Sequence, residues 1–110
     1  MDTPIYSVVI PVYKAQKTLE ELCSRLREVF DNEVKAHFEV ILVDDGSPDA
    51  SWQRLVQIHA KDNRFKIIQL IRNFGQHNAL MCGFHHARGD FVITMDDDLQ
   101  HPPEEIVKHD

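Results

Sequence analysis

The chain has 110 residues, of which 43% are apolar and 27% are charged, as expected for one soluble globular domain with its own core. The net charge of -6 argues against a non-specific nucleic-acid binder. No apolar run approaches the roughly 18 residues of a membrane span, and the N-terminus lacks the pattern of a signal peptide. The two cysteines, Cys23 and Cys82, have no paired spacing, which indicates reduced thiols in a cytosolic setting.

Strands and helices alternate along the predicted secondary structure. Apolar runs predict strands at residues 5–12, 38–43 and 65–71 and a fourth that ends at residue 96, whereas helical spacing of apolar residues predicts helices at about 18–33, 50–61 and 76–87. Thr18 and Glu21 fit a capping box at the start of the first helix, and Gly89 is expected to cap the end of the third. Pro103, followed by two glutamates, predicts the start of a fourth helix.

Individual positions are also assigned to the core. In the second helix we expect Trp52, Leu55, Val56 and His59 to face inward. In the third helix Cys82 and Gly83 are small, which predicts close packing of that helix against the sheet.

The β-α-β-α-β-α-β order with short loops predicts an α/β fold: a doubly wound, mostly parallel sheet with helices on both faces. Right-handed crossovers restrict the topology to a few arrangements. If the fourth strand lies beside the first, the strand order is 3-2-1-4, with a switch point between the first and fourth strands. Ligands of such sheets bind at the carboxyl ends of the strands next to the switch point.

Acidic side chains follow two of the predicted strands. The second strand ends in Asp44 and Asp45, and the fourth ends in Asp96, Asp97 and Asp98. In extended chain Asp96 and Asp98 would point to one side and Asp97 to the other. Converging carboxylates repel one another unless a cation lies between them, and a divalent ion with oxygen ligands suits this position.

Known phosphate-binding sequences are missing. No Gly-x-Gly-x-x-Gly follows the first strand, and there is no Walker A sequence. Any diphosphate must therefore be held in another way, and a Mg²⁺ or Mn²⁺ ion on Asp98 would bridge it and stabilise it as a leaving group.

Four segments carry a resemblance to a known family. They are Pro-Val-Tyr at the end of the first strand, Val-Asp-Asp-Gly-Ser after the second, Arg-Asn-Phe-Gly-Gln-His before the third helix, and Asp-Asp-Asp-Leu-Gln-His-Pro-Pro-Glu-Glu after the fourth strand. In this order they resemble the family 2 glycosyltransferases of the GT-A fold, particularly the polyprenyl-phosphate glycosyltransferases of the dolichol-phosphate mannose synthase type. The resemblance implies a UDP- or GDP-sugar donor, Mg²⁺ or Mn²⁺ as cofactor, and inverting transfer to an acceptor such as a polyprenyl phosphate or a glycan, in cell wall or envelope biosynthesis.

The resemblance also implies roles for single residues. Pro11 and Tyr13 would flank the nucleobase, and Asp44 or Asp45 would bond to it. Arg72 would lie near the base or the diphosphate. Metal and ribose contacts are implied for the remaining positions: Asp96 near the ribose and metal, Asp98 as metal ligand, and Gln100 in support.

Two positions depart from the family pattern. Lys14-Ala15-Gln16 stands where Asn-Glu is usual, and Asp97 stands where Ala is frequent. The chain is also short for the family, so it resembles the nucleotide-sugar-binding half (residues 1–110) without the acceptor half, and residues for a catalytic base are not expected in it. We expect it in the cytoplasm, or on the cytoplasmic face of a membrane within a longer lipid-linked transferase.

Two other functions fit parts of the pattern. A phospho-acceptor receiver domain also has paired acids after one strand and another aspartate two strands later, as in Asp44, Asp45 and Asp96, but it needs further strands with a hydroxyl and a lysine. A non-catalytic nucleotide-binding fragment is the other alternative.

Overall fold

In the computed structural model, residues 3–99 and 103–104 are described. Within them the chain forms one four-stranded sheet in the order β3-β2-β1-β4, and each neighbouring pair is parallel. The predicted order and the doubly wound α/β class are therefore confirmed. The elements are β1 Tyr6–Val12, α1 Leu19–Glu28, β2 Phe38–Asp44, α2 Ser51–Lys61, β3 Phe65–Gln69, α3 Gln76–His86 and β4 Phe91–Thr94.

Helices cover both faces of the sheet. The larger core lies between the sheet and helices α1 and α2, and alternate residues of β1 and β2 enter it together with Leu22, Leu26 and Leu55. The smaller core lies under α3 and includes Ile41, Val43 and Ala79. Because β1 and β2 are covered on both faces, nearly all their side chains are buried, as continuous apolar strands predict.

The apolar run of the fourth strand is typical of a buried strand, but in the described residues much of β4 is exposed. Among the described residues it pairs with β1, in the register Tyr6↔Phe91 to Val9↔Thr94, and no second described strand lies beside it. Phe91 is 59% exposed and Val92 45% exposed. Apolar composition alone does not show how far neighbouring segments cover a strand.

The ends of several elements also differ from expectation. The first helix stops at Glu28 and continues as a π-helical segment, Val29–Val34, that ends at Lys35 in the left-handed region. Thr18 makes no side-chain capping bond, so the capping box is wrong. The third helix ends at Ala87 in extended backbone, so Gly89 is not its cap. The predicted fourth helix falls largely outside the described residues.

The inward positions of α2 were predicted in part. Leu55 is buried and Trp52 packs against the larger core, but Val56 and His59 are exposed and Ile58 is buried in their place. The helix lies on the sheet along the line of Leu55 and Ile58, which are three residues apart and share a face.

Two glycines allow close approach of backbone segments. A Cβ at Gly83 would overlap Cγ1 of Val9, so α3 lies directly on β1 as predicted. Gly46 has φ +71°, and a Cβ there would overlap the backbone of Arg72 and Asn73. The loop after β2 therefore touches the loop after β3, which brings two of the recognised segments together.

Candidate functional site

The candidate site forms where the carboxyl ends of β1, β2 and β4 meet. In the sheet register Val12 lies level with Asp44, and Val9 lies level with Thr94. β4 therefore ends three residues earlier than β1, and the acidic residues 96–98 that follow it are not part of a strand. They lie beside the end of β1 and do not continue β4 in the direction of the strand.

Asp97 holds this acidic segment against the loop after β1. Its Oδ2 accepts a hydrogen bond from the Tyr13 amide at 2.9 Å, and its backbone oxygen accepts one from Thr18 Oγ1 at 2.6 Å. Thr18 thus uses its hydroxyl for a contact 79 residues away and not for a capping box. The expected alternation, with Asp97 on the opposite side from Asp96 and Asp98, does not separate them here, because β4 ends at Thr94 and all three residues line the same cleft.

The contacts enclose a cleft of about 280 Å³. Pro11 and Tyr13 line it from the end of β1, Asp45 from the end of β2, and Gln76 from the start of α3. Residues 96–98 line it from the end of β4. Four carboxylates therefore face one small volume. Gln76 was not named as a site residue, although it belongs to the recognised segment before the third helix.

The electrostatics of the cleft are strongly negative. Burial raises the pKa of Asp97, and the neighbouring charges of Asp98 and Asp96 raise it further, against the opposing effect of the Tyr13 amide. Ionisation of Asp97 therefore costs more free energy here than in water, and a bound cation would lower that cost.

Asp45 is both a lining residue and a structural one. It is 3% exposed, and its carboxylate accepts hydrogen bonds from the amides of Phe74 at 2.7 Å and Gly75 at 3.0 Å. These bonds fix the loop that leads into α3 and thus place Gln76. Each carboxylate oxygen retains a lone pair for a further donor.

Asp44 has a different environment. It is fully buried, it does not line the cleft, and it lies on the α1 and α2 side of the sheet because it alternates with Asp45. Its Oδ1 accepts a hydrogen bond from the Ser47 amide at 3.2 Å. Within the described part of the chain no group donates to its Oδ2. The two adjacent aspartates therefore separate into one that faces the cleft and one beneath the following turn.

The other predicted residues are placed as follows. Arg72 is exposed and does not line the cleft. Its guanidinium carbon lies 4.7 Å from the centre of the Phe74 ring, two residues further along the chain. Tyr13 is 41% exposed, and the Lys14 ammonium lies 5.3 Å from the centre of its ring. Gln100 lies outside the described residues.

Carboxylate oxygens are the donors that Mg²⁺ and Mn²⁺ prefer, so Asp96 and Asp98 fit such an ion chemically. In the described ranges no three His, Cys, Asp or Glu side chains are grouped as a ready metal cage. This arrangement suits an ion that takes one or two carboxylates and completes its shell with phosphate oxygens and water.

The cysteines offer no reactive group in the buried core. Cys23 is buried, which raises the pKa of its thiol to about 12 despite the nearby charge of Arg27. A thiol with this pKa is protonated at neutral pH and is a poor nucleophile. Cys82 is also a free thiol.

The parallel order 3-2-1-4 with an acidic cleft at its carboxyl edge defines a doubly wound α/β fold of the GT-A type. Solved structures with this fold include Staphylococcus aureus TarS 1-349 in complex with UDP-GlcNAc, which is 28% identical with a TM-score of 0.73 over 94% of this chain and 29% of that chain. A more distant one, with 22% identity, is the mannosyltransferase PcManGT from Pyrobaculum calidifontis in complex with GDP-Man and Mn²⁺, with a TM-score of 0.78 over 96% of this chain and 30% of that chain.

The model of glycosyl transferase family 2 matches residues 7–109, and the chain belongs to this family. A curated relative, the undecaprenyl-phosphate 4-deoxy-4-formamido-L-arabinose transferase of Shewanella sediminis (strain HAW-EB3), is 48% identical over 102 residues. The match covers 91% of this chain and 30% of the relative, so the chain spans about a third of that protein's length. The expected likeness to polyprenyl-phosphate glycosyltransferases is thereby confirmed, and family membership decides against the receiver-domain alternative.

None of the helices in residues 3–99 has the length and apolar character needed to cross a bilayer.

Proposed function

We propose that this chain is the nucleotide-sugar-binding part of a metal-dependent glycosyltransferase that uses a UDP- or GDP-sugar and transfers the sugar, with inversion, to a polyprenyl phosphate or glycan. The observation that carries the proposal is the cleft itself, in which the end of β1, Asp45 and the acidic segment 96–98 converge. The curated relative acts, by its name, on undecaprenyl phosphate, which supports a lipid phosphate as the acceptor class.

The nucleobase is assigned to the part of the cleft between Tyr13 and Asp45. Tyr13 presents an exposed ring for stacking, and the Asp45 carboxylate can accept a hydrogen bond from a ring N–H of uracil or guanine. The alternative carboxylate, Asp44, is disfavoured because it lies beneath the turn on the other side of the sheet. Pro11 forms the floor beside the base.

The diphosphate is assigned to the acidic end of the cleft, where Asp96 and Asp98 would hold Mg²⁺ or Mn²⁺. When bound, such an ion offsets the negative charge that develops on a nucleoside diphosphate as it leaves. Asp97 keeps this end of the cleft next to Tyr13 through its bond to the Tyr13 amide. Inversion follows if the acceptor oxygen displaces the diphosphate in one step from the opposite side of the sugar.

The expected activity of the 110 residues alone is limited to binding. No acceptor-binding or base residue is assigned to them, so we expect weak nucleotide binding with little or no sugar transfer. Isothermal titration with UDP and with GDP, each with and without Mn²⁺, measures the binding, and release of UDP or GDP from the matching nucleotide sugar measures transfer.

The sharpest comparison uses Asp45→Asn with Glu33→Gln as control. Both remove one negative charge, but Glu33 is exposed in the π-helical segment after α1, at the opposite end of the sheet. We expect Mn²⁺-dependent nucleotide binding by the wild type and the control, and affinity about tenfold lower or worse for Asp45→Asn. Lack of binding to either nucleotide with Mn²⁺ would overturn the proposed function, and rapid transfer by the wild type would overturn its restriction to binding.

A further inference from the structure

A buried carboxylate lies at the amino ends of the strands, opposite the cleft. Glu39, near the start of β2, is 2% exposed. Its Oε2 accepts hydrogen bonds from Ser7 Oγ and from the Arg88 amide, both at 2.6 Å. Its Oε1 accepts one from Lys66 Nζ at 2.8 Å. Ser7 Oγ in turn accepts a bond from the Gly89 amide at 2.7 Å. We call Glu39 and Ser7 the polar pair.

The carboxylate is ionised at this position although it is buried. Burial acts to raise the pKa of Glu39, but the hydrogen bonds from Lys66, Ser7 and the Arg88 amide, together with the charge of Lys66, outweigh it and lower the pKa below its usual range. A buried charge with several donors is strongly oriented, and removal of its partners leaves costly unpaired groups.

The polar pair holds the segment that leads into β4. Arg88 and Gly89 connect α3 to that strand, and both donate their amides to the pair. Gly89 is also the point of closest approach, since a Cβ there would lie 2.7 Å from Ser7 Oγ and 2.8 Å from the Ser7 amide nitrogen. These contacts explain why glycine occurs here, where a helix cap was expected.

Among the described residues, β4 has few other contacts. It pairs with β1 over four residues, and Phe91 and Val92 are largely exposed. Apolar burial therefore contributes less to its placement than to that of β1 or β2. The short strand leads directly into residues 96–98, so any shift or fraying of its start moves the acidic end of the cleft.

We propose that Glu39 and Ser7 are positioning residues for the cleft: they fix the start of β4 and so set where Asp96 and Asp98 present their carboxylates. They act through about 16 Å of strand and touch no part of the cleft. The inference has two halves. The functional half, that the polar pair affects nucleotide binding in the cleft, rests on the proposed function. The mechanical half, that the pair fixes the start of β4, concerns the strand alone.

The mechanical half is tested by native-state hydrogen exchange on the 110-residue chain. The reporters are the Phe91 and Met95 amides, which bond to Ile5 and Val9 of the neighbouring segment, and the reference is the Leu70 amide, which bonds to Asp44. In Ser7→Ala the Gly89 amide loses its acceptor, and we expect the reporters to exchange about fivefold faster relative to the reference. Glu39→Leu removes the acceptor of the Arg88 amide and leaves the Ser7 hydroxyl without its partner, so it should have a larger effect.

Lys66→Met is the matched control. It removes a partner of Glu39 whose side chain is 40% exposed but leaves both contacts to the segment before β4. Loss of this ion pair lowers the overall stability, so reporters and reference should exchange faster together, and their ratio should stay as in the wild type. Equal acceleration of reporters and reference in Ser7→Ala would mean a general loss of stability and would overturn the proposal. If Glu39→Leu does not fold, Ser7→Ala decides alone.

The functional half is tested by titration with UDP and Mn²⁺. Ser7→Ala should bind about three- to tenfold more weakly and Lys66→Met as the wild type does. Unchanged binding by Ser7→Ala with accelerated reporters would refute the link between strand and cleft. A wild type that binds no UDP would count against the proposed function, while the exchange result would still decide whether the polar pair holds β4.

Discussion

Replacing Asp45 by asparagine tests whether its carboxylate holds the loop before α3. The two oxygens accept bonds from the Phe74 and Gly75 amides at 2.7 and 3.0 Å. Asparagine of the same size has only one acceptor oxygen, and its NH₂ group would face the second amide donor. Loss of one bond to a charged acceptor costs about 1.5–3 kcal/mol, and since Phe74 is 39% exposed, we expect a loss of about 2 kcal/mol in the free energy of unfolding.

The same substitution at the adjacent Asp44 should have the opposite outcome. Asparagine keeps an acceptor for the Ser47 amide, 3.2 Å from Oδ1 in the wild type, and removes a buried charge whose Oδ2 receives no bond from the described groups. We expect unchanged stability or a gain of about 1 kcal/mol. The two residues are adjacent and buried but differ in the number of amide donors that their oxygens receive, so the comparison isolates the effect of the second bond.

Urea denaturation at pH 7, followed by the fluorescence of Trp52, measures both variants against the wild type. A shift of the midpoint without a change in slope reports stability. A loss below about 0.5 kcal/mol for Asp45→Asn would contradict the role of the two amide bonds, as would a larger loss for Asp44→Asn than for Asp45→Asn.

Three further predictions concern the scaffold. Gly83→Ala should destabilise the protein by about 1–2 kcal/mol despite the better helix propensity of alanine, because the new Cβ overlaps Val9. In a double-mutant cycle with Val9→Ala the two losses of stability should be non-additive, and additivity would argue against direct packing. Hydrogen bonds from Arg64 lower the pKa of Asp62 to about 2, so the stability that this carboxylate contributes is present above about pH 4 and is lost as the pH falls through about 2. Asp62→Asn should therefore cost about 1 kcal/mol at pH 7 after allowance for solvent screening, and this cost should become much smaller as the pH falls to about 2. A pH-independent difference in urea titrations would show that the ion pair is not responsible. Lys14 has φ +54°, in the left-handed region, which asparagine tolerates better than lysine does. Lys14→Asn should therefore stabilise the protein by about 0.5 kcal/mol and raise the midpoint of thermal unfolding. A lowered midpoint would speak against backbone strain at this position.

Some of the site was predictable because it depends on local pattern. Apolar runs that end in Asp44–Asp45 and in residues 96–98 place carboxylates after two strands, and the strand order then brings them to one edge. The family resemblance added Tyr13 as a further lining residue. The acidic strand ends and their common edge follow from periodicity and chain connectivity, which are present in the linear order of residues, whereas Tyr13 came from the resemblance alone.

Other parts of the site depend on where a strand stops. Alternation predicted Asp97 on the opposite side from Asp96 and Asp98, but β4 ends at Thr94, and Asp97 bonds to the Tyr13 amide. The choice between Asp44 and Asp45 likewise depends on which face of the sheet each one meets. No local pattern contains this information, because partners 29 to 84 residues away determine it.

The sequence by itself determined the alternating elements, the α/β class and the presence of an acidic strand edge, because each is encoded in spacing over a few residues. Only the tertiary structure decided that Phe91 and Val92 of β4 are exposed among the described residues, that the amides before this strand bond to Glu39 and Ser7, and that Asp45 and not Asp44 faces the cleft. The physical reason is that hydrogen bonds and burial depend on distances between segments far apart in the chain, and those distances exist only after the sheet has assembled.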